Sequence, residues 1–313
     1  MKKTLIALAA VASFGASYAQ VAITGGVDFT YGKTTADSTG AAAKGIANTD
    51  AYIDITASED LGGGTKATVF MELNADGAWG AGNYAGDKSI NLTGPNGTLV
   101  VTSTRSGGIL NNIMLAPEVS SDDHWSAVNA GVMARGKVDA LVYMLPAMGP
   151  MTLGYKYVEG VVSSGDGYAS PANATHVLYG KYAQGPLTAV VEYNIRNSAD
   201  LAGDVRGQRL DATVTYDAGV AKVALGVETA YLGTANNTST GTSATGILVS
   251  ALVPVGNNAF GLNYGKRDAA SFTEFAGQYN LSKQTYVAAS VGSFVSQAGV
   301  STDTFGVRLG KNF

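Results

Sequence analysis

Few side chains in this sequence could carry out covalent or acid–base chemistry. A hydrolytic site needs a nucleophile, a base and an orienting carboxylate within reach of one another, but the only histidines are His124 and His176. The chain has no cysteine, no Gly-x-Ser-x-Gly turn and no glycine-rich phosphate loop. It therefore offers almost no ligands for zinc, haem or an iron–sulfur cluster. The sequence predicts neither catalysis nor a bound cofactor or metal.

Charge is scarce along the whole chain. Charged residues make up 14% of the sequence, whereas an average soluble domain has about a quarter. The net charge is −4 and the pI is about 5.2, so the chain lacks the basic face that nucleic acid requires. A mean hydropathy of +0.10 also excludes a disordered, highly charged protein. The few charged residues are therefore expected in a folded protein.

The N-terminal segment differs from the rest. Met1–Lys3 is a short basic start, Thr4–Phe14 is an uncharged apolar run, and Ser17–Ala19 supplies small residues before a cut ahead of Gln20. This pattern is typical of a secretory signal peptide, and the run is too short to span a bilayer as a helix. We predict two parts: a signal peptide at residues 1–19 and one exported domain at residues 20–313.

Apolar and polar side chains alternate with a period of two throughout the exported part. In residues 210–216 the even positions are Leu, Ala, Val and Tyr, while Asp and Thr lie between them. Such alternation predicts strands with one face apolar and the other polar. Similar runs occur at residues 21–31, 66–73, 152–157, 187–194 and 305–310.

The connections between these runs are of two kinds. Tight turns rich in Gly, Asn and Pro, such as 94–97 and 217–219, alternate with long polar segments, predicted at 33–48, 74–86, 159–173, 198–205 and 233–245. Short turns on one side and long loops on the other are typical of outer-membrane barrels, as are tyrosines at the ends of the apolar faces. We predict an all-β fold, a transmembrane antiparallel up-and-down barrel of about sixteen strands.

Several turn segments carry a family resemblance. Residues 58–67 (SEDLGGGTKA), 182–187 (YAQGPL) and 279–285 (YNLSKQT), with the terminal run Gly306–Phe313, resemble the general porins of Gram-negative bacteria, of the betaproteobacterial and neisserial type. The resemblance implies a water-filled homotrimeric channel for small hydrophilic solutes and ions. It also implies an outer-membrane location, contact with the lipid bilayer and lipopolysaccharide, and Phe313 as a C-terminal assembly signal.

The same resemblance implies that the third long loop folds into the pore. That loop should run from about Ser106 to Trp125, after a strand at 98–104, and Glu118, Asp122 and Asp123 would form the acidic side of the constriction. A solvated acidic loop tip is the alternative reading for Asp122 and Asp123. The expected wall residues on strand faces turned toward the lumen, or just after the loop, are Arg105, Arg135, Lys137, Lys66, Lys156, Lys181, Arg196, Arg209, Arg308, Glu72 and Glu192.

This chain departs from the family pattern on the pore wall. Tyr52 and Thr56 stand where basic residues are usual, Val142 replaces another, and Arg105 stands in for one near Ser103. Asp211, Glu228 and Glu274 are inward by parity as well. We therefore expect passive diffusion with weak charge selectivity that leans toward cations. A substrate-specific channel with saturable binding is the main alternative, and a structural or adhesive barrel or a soluble exported β-protein is a further one.

Overall fold

The computed structural model describes residues 20–36, 42–74, 86–106, 109–119, 136–159, 174–196, 207–232 and 242–313. In these residues the chain forms sixteen antiparallel strands, each paired with its neighbours in sequence, and β1 pairs with β16 to close one barrel. The predicted all-β, up-and-down architecture is confirmed. The strands are β1 Gln20–Ala36, β2 Ala42–Gly62, β3 Thr65–Asn74, β4 Lys88–Gly94, β5 Gly97–Ser106, β6 Gly136–Met144, β7 Met151–Val158, β8 Thr175–Gln184, β9 Leu187–Arg196, β10 Gly207–Asp217, β11 Lys222–Leu232, β12 Thr242–Val255, β13 Asn258–Arg267, β14 Ala270–Asn280, β15 Thr285–Val295 and β16 Ser301–Asn312.

The strand alternation separates an apolar outer surface from a polar interior. On β10, Leu210, Val214 and Tyr216 are exposed on the outside, whereas Arg209 and Asp211 are buried inside the barrel. An apolar outer band suits lipid, where an ionised group costs several kcal/mol. Closure pairs every strand on both sides, so no backbone edge is left open. No helix in the described ranges is long and apolar enough to span a bilayer.

Glycines shape the tight turns at one end of the barrel. Gly185, Gly219 and Gly256 have φ values of 55°, 79° and 60°, a left-handed conformation that costs other residues energy. The Gly219 amide also donates to Asp217 Oδ1 at 3.0 Å. Because short turns face the periplasm in outer-membrane barrels, the opposite end is the extracellular one.

The first predicted long loop is shorter than the sequence suggested. β1 and β2 stay paired up to Thr35 and Ala42, so the expectation of a loop over residues 33–48 was wrong. β12 likewise begins at Thr242, inside the segment predicted as a loop at 233–245. Beyond the lipid layer both faces of a strand meet water. A polar composition is then compatible with continued backbone pairing.

The first and last strands of the barrel meet at the periplasmic rim. The Phe313 amide donates to Gly25 O at 2.9 Å, and the Gly25 amide donates to Phe313 O at 3.2 Å. The Phe313 ring lies so close to Gly25 that a side chain there would collide with it. The terminal residue therefore helps to close the barrel between β1 and β16.

Candidate pore lining and constriction

A segment between β5 and β6 lies inside the barrel. We call residues 109–119 the inner loop. Leu110 and Val119 in this loop are fully buried, and each contributes roughly 1.5–3 kcal/mol when removed from water. The loop packs in two apolar clusters on the inner face of β11, β12, β14 and β15. The expected inward folding of the third loop is thus seen for these residues.

Inward-facing glycines make room for the inner loop. A Cβ built on Gly226 would lie 2.8 Å from Ile113 Cδ1, and one on Gly306 would lie 3.1 Å from Val119 Cγ1. A Cβ on Gly261 would collide with the backbone of Ala116. The contact at Gly261 is closer than real Cβ atoms approach, and the contacts at Gly226 and Gly306 would require the loop side chains to shift. We call these three glycines the loop seat, because they leave room for the inner loop.

Hydrogen bonds hold the loop backbone on this seat. The Leu115 amide donates to Ser250 Oγ at 2.8 Å, and the Ala116 amide donates to Asn263 Oδ1 at 3.3 Å. Ser250 and Asn263 are buried and bond to each other. The wall thus satisfies backbone groups that no strand partner reaches.

Arg308 on β16 ties the end of the inner loop to the wall. Its Nε donates to Val119 O at 3.2 Å, and its Nη1 lies 3.4 Å from Asp28 Oδ2, which also accepts from Tyr286 Oη at 2.7 Å. Its Nη2 lies 4.0 Å from Oε1 of Glu118, whose side chain is 71% exposed. A buried arginine thus serves both wall and loop, while Glu118 presents its carboxylate to the lumen.

A row of ion pairs crosses the wall from β7 to β13. Three acidic residues, Glu192, Asp211 and Glu228, are direct cross-strand partners on β9, β10 and β11. Like charges in that arrangement repel, but each has a cation beside it. Lys156 pairs with Glu192, Arg209 Nε lies 2.9 Å from Asp211 Oδ2, and Arg267 Nη2 lies 3.2 Å from Glu228 Oε1.

The inner face of β1–β3 is acidic. Asp28 lies directly opposite Asp50, and Asp54 lies directly opposite Glu72. These three strands place one basic side chain on their inner face, Lys66 near the periplasmic rim. Tyr52 and Thr56, noted in the sequence as departures from the family pattern, occupy inward positions on the same face of β2.

A cavity of about 490 Å³ lies between the inner loop and the wall of β5–β10, and we call it the lumen cavity. Its lining combines cationic, hydroxyl and apolar groups and consists of Thr102, Thr104, Ile109, Asn112, Ile113, Val138, Ala140, Val142, Lys156, Val158, Tyr179, Lys181, Thr188, Val190, Glu192, Thr213 and Thr215.

The predicted constriction residues fall into three groups. The loop and ion-pair network contains Glu118, Glu192, Arg209 and Arg308. The lumen cavity is lined by Lys156 and Lys181. The acidic face contains Glu72. Asp122, Asp123, Arg135 and His124 lie outside the described residues. The backbone of Arg105, Lys137 and Arg196 belongs to β5, β6 and β9, and their side chains lie outside the description.

Sequence reasoning missed several residues of the site. Arg267 alternates with the exposed Phe260, Leu262 and Tyr264 on β13, so parity could have placed it in the lumen. Asp28 was detectable in the same way on β1. The glycine seat carries no such signal, because a glycine is equally compatible with a turn, a bulge or a close contact.

A barrel that is apolar outside, charged inside and narrowed by an inner loop defines an outer-membrane channel. Residues 4–299 match the family model described as Gram-negative porin, and the chain belongs to that family. It is an outer-membrane diffusion channel. No curated protein sequence matched the chain significantly.

Solved structures share the fold. An anion-selective porin from Comamonas acidovorans is 19% identical, with a TM-score of 0.78 over 95% of this chain and 100% of that one. In-vitro folded OmpT of Vibrio cholerae, in its trimer form, is 11% identical, with a TM-score of 0.66 over 94% and 99%. A triple mutant of Rhodopseudomonas blastica porin is 14% identical, with a TM-score of 0.61 over 94% and 100%.

Proposed function

We propose that this porin passes small hydrophilic solutes and ions without transforming them and with a weak preference for cations. The observation that carries the preference is the acidic inner face of β2 and β3, where Asp50 and Asp54 lie on β2 and Glu72 lies directly opposite Asp54. The remaining described charges of the wall largely neutralise one another in pairs. Charge around the narrow section of a pore sets its ion selectivity.

The similar porin from Comamonas acidovorans is described as anion-selective, which is opposite to the preference proposed for this chain. The proposed direction rests on uncharged residues of the β2 wall. In the present chain, uncharged Tyr52 and Thr56 occupy inward positions on β2, on either side of Asp54. A wall of this composition attracts anions less than one lined by basic residues, so the preference should move toward cations.

We further propose that the channel performs no chemistry. His176 lies on the outer face of β8, where Tyr155 Oη is 2.6 Å from its Nδ1. In that position it faces the membrane and not the lumen. A histidine held by a tyrosine on the lipid side is badly placed to act on solutes in the pore.

Diffusion and saturable transport can be separated by flux. Liposomes containing the folded protein should swell in sugars at rates that fall smoothly with solute size and rise in proportion to solute concentration. A rate that saturates for one solute class would instead favour a substrate-specific channel. Purified protein that inserts without conductance steps in a planar bilayer would contradict the open-pore proposal.

The outer surface supports a trimer. Within the described residues, the outward faces of β2–β5 carry Ile53, Val69, Ile90 and Val101 and no aromatic side chain. The outward faces of β7–β11 include Tyr155, Tyr182, Tyr193, Tyr216 and Tyr231. Aromatic girdles mark surfaces that meet the headgroup layer. We assign the aromatic-free arc of β2–β5 to contact with further copies of this chain.

Bulky substitution tests this assignment. Ile90→Trp should weaken the trimer band in native gel electrophoresis, because the indole would lie between two barrels. The matched change Val227→Trp, on the opposite outer face, should leave the trimer intact because lipid accommodates the ring. Equal behaviour of the two variants would contradict the assignment.

Two further proposals concern the envelope. Lys33 and Lys44 lie directly opposite each other at the extracellular end, both exposed. Because like charges in register repel, we propose that a lipopolysaccharide phosphate bridges them. Lys33→Gln with Lys44→Gln should then reduce the co-purified lipopolysaccharide.

We also propose cleavage of residues 1–19, so mass spectrometry should find Gln20 at the N-terminus of the exported protein.

A further inference from the structure

One side of the lumen cavity is apolar. Val138, Ala140 and Val142 are three successive inward positions on β6, and Ile109 and Ile113 of the inner loop line the same cavity. An apolar strip on the wall of a water-filled lumen leaves its surface in contact with water. A passing solute with an apolar body would cover that strip and release the water.

The other side of the lumen cavity carries an uncompensated cation. Within the described residues, Lys181 is exposed and belongs to none of the ion pairs of the wall. The second lysine, Lys156, is neutralised by Glu192, and its ammonium lies 5.5 Å from the centroid of the Tyr179 ring. The described lining of the cavity is therefore positive at Lys181, even though the porin as a whole is acidic.

Two hydroxyl groups line the same cavity as this cation. Lys181 is the cross-strand partner of Val190 on β9; Thr188 is the next inward residue on β9, and Thr213 is the partner of Val190 on β10. Threonine hydroxyls donate hydrogen bonds readily, and an ammonium strengthens the binding of an anionic acceptor. Cation, hydroxyls and apolar strip are thus combined in a cavity of about 490 Å³.

We propose that the lumen cavity is a binding subsite for small organic anions with an apolar body, such as aryl carboxylates. The carboxylate would lie at Lys181 and the threonines, and the ring would lie along the β6 strip. A neutral sugar would gain nothing from the lysine, and acetate would gain little from the strip. The proposal rests on the proposed function, because it assumes an open channel, and it adds a local preference to a weakly cation-leaning pore.

Single-channel recording with benzoate tests the proposal. Added to KCl, benzoate should reduce the open-channel current in a saturable way, and acetate should need a concentration about tenfold higher for the same reduction, since covering an aryl ring contributes at least 1.4 kcal/mol. Benzyl alcohol, which has the ring without the charge, should reduce the current as weakly as acetate.

Three variants separate the two halves of the subsite. Lys181→Gln should raise the half-blocking benzoate concentration about tenfold, the loss typical of one charge-assisted hydrogen bond. Lys222→Gln, a charge-matched control near the periplasmic turn where Lys222 pairs with Asp217, should leave it unchanged. Val142→Thr should weaken benzoate but not acetate, because it changes the strip and leaves the cation in place.

The outcomes are distinct from those of the proposed function. Normal conductance steps with equal effects of benzoate and acetate would overturn the subsite and leave the diffusion channel standing. Equal half-blocking concentrations in the Lys181 and Lys222 variants would also overturn it. A folded, inserted protein without any conductance steps would overturn both proposals.

Discussion

The two inner walls of this barrel differ in what they face: one packs against the inner loop and the other lines the lumen cavity. The covered wall, β11–β16, presents Gly226, Gly261 and Gly306 to the lumen under the inner loop. The open wall, β5–β10, presents large side chains such as Lys156 and Tyr179. Both walls have the same alternation and the same closure. The covered wall has glycine at the three inward positions where the loop comes closest.

The difference shows how an interior loop is held without a conventional core. On the covered wall, glycine removes steric bulk and Ser250 and Asn263 bond to the loop backbone. On the open wall the side chains face the lumen cavity. The covered wall should therefore be sensitive to single substitutions in stability, and the open wall in conductance.

Removing Arg308 should reduce the stability of the covered wall more than any other change considered. Arg308→Met leaves the buried Asp28 without its cation, although the Tyr286 hydroxyl still donates to it, and removes one of the two donors to Val119 O. Loss of one partner of a buried ion pair costs about 3–5 kcal/mol. We expect a lower urea midpoint for barrel unfolding and noisier single-channel current. Adding Asp28→Asn should recover part of the stability, and an unchanged midpoint in Arg308→Met would refute this role.

A methyl group on the loop seat should have the next largest effect. Gly261→Ala places a Cβ against the backbone of Ala116, so the inner loop must shift at a cost of roughly 1–3 kcal/mol. Gly32→Ala is the control, since its nearest contact is Phe305 O at 3.8 Å. Unfolding and conductance should change in the first variant alone. Identical behaviour of the two alanine variants would show that the seat is not tight.

Polar groups should show the same contrast at smaller magnitude. Ser250→Ala removes the acceptor of the Leu115 amide on the covered wall, and a buried unsatisfied group costs about 1–3 kcal/mol. Thr188→Ala, on the open wall, should cost less than about 0.5 kcal/mol because water replaces the hydroxyl. Denaturant titration of both variants would measure the difference. A larger loss for Thr188→Ala would contradict the distinction between the walls.

Local rules predicted most of the fold. A period of two is sufficient to assign faces, so Lys156, Glu192 and Arg308 could be placed in the lumen before any coordinates. The same rule failed at the extracellular ends of β1 and β2, where polar strands continue past the lipid. Hydrophobicity reports the solvent around a strand and not the pairing of its backbone.

The site was less predictable because it depends on contacts between distant residues. Val119 and Arg308 are 189 positions apart, and their hydrogen bond depends on the path of the inner loop across the lumen. Periodicity can say that Arg308 faces inward, but it gives neither depth nor partner. The sequence contains the glycines of the loop seat, but their role can be recognised only when the position of the inner loop is known.

The most direct test of the central claim is the reversal potential of the purified protein in a planar bilayer, with concentrated KCl on one side and dilute KCl on the other. We expect a small potential of the sign that marks preference for K⁺ over Cl⁻. Asp50→Asn with Asp54→Asn should move that potential toward zero, since they remove charge from the acidic face of β2. A large potential of the opposite sign, marking strong preference for Cl⁻, would contradict the account.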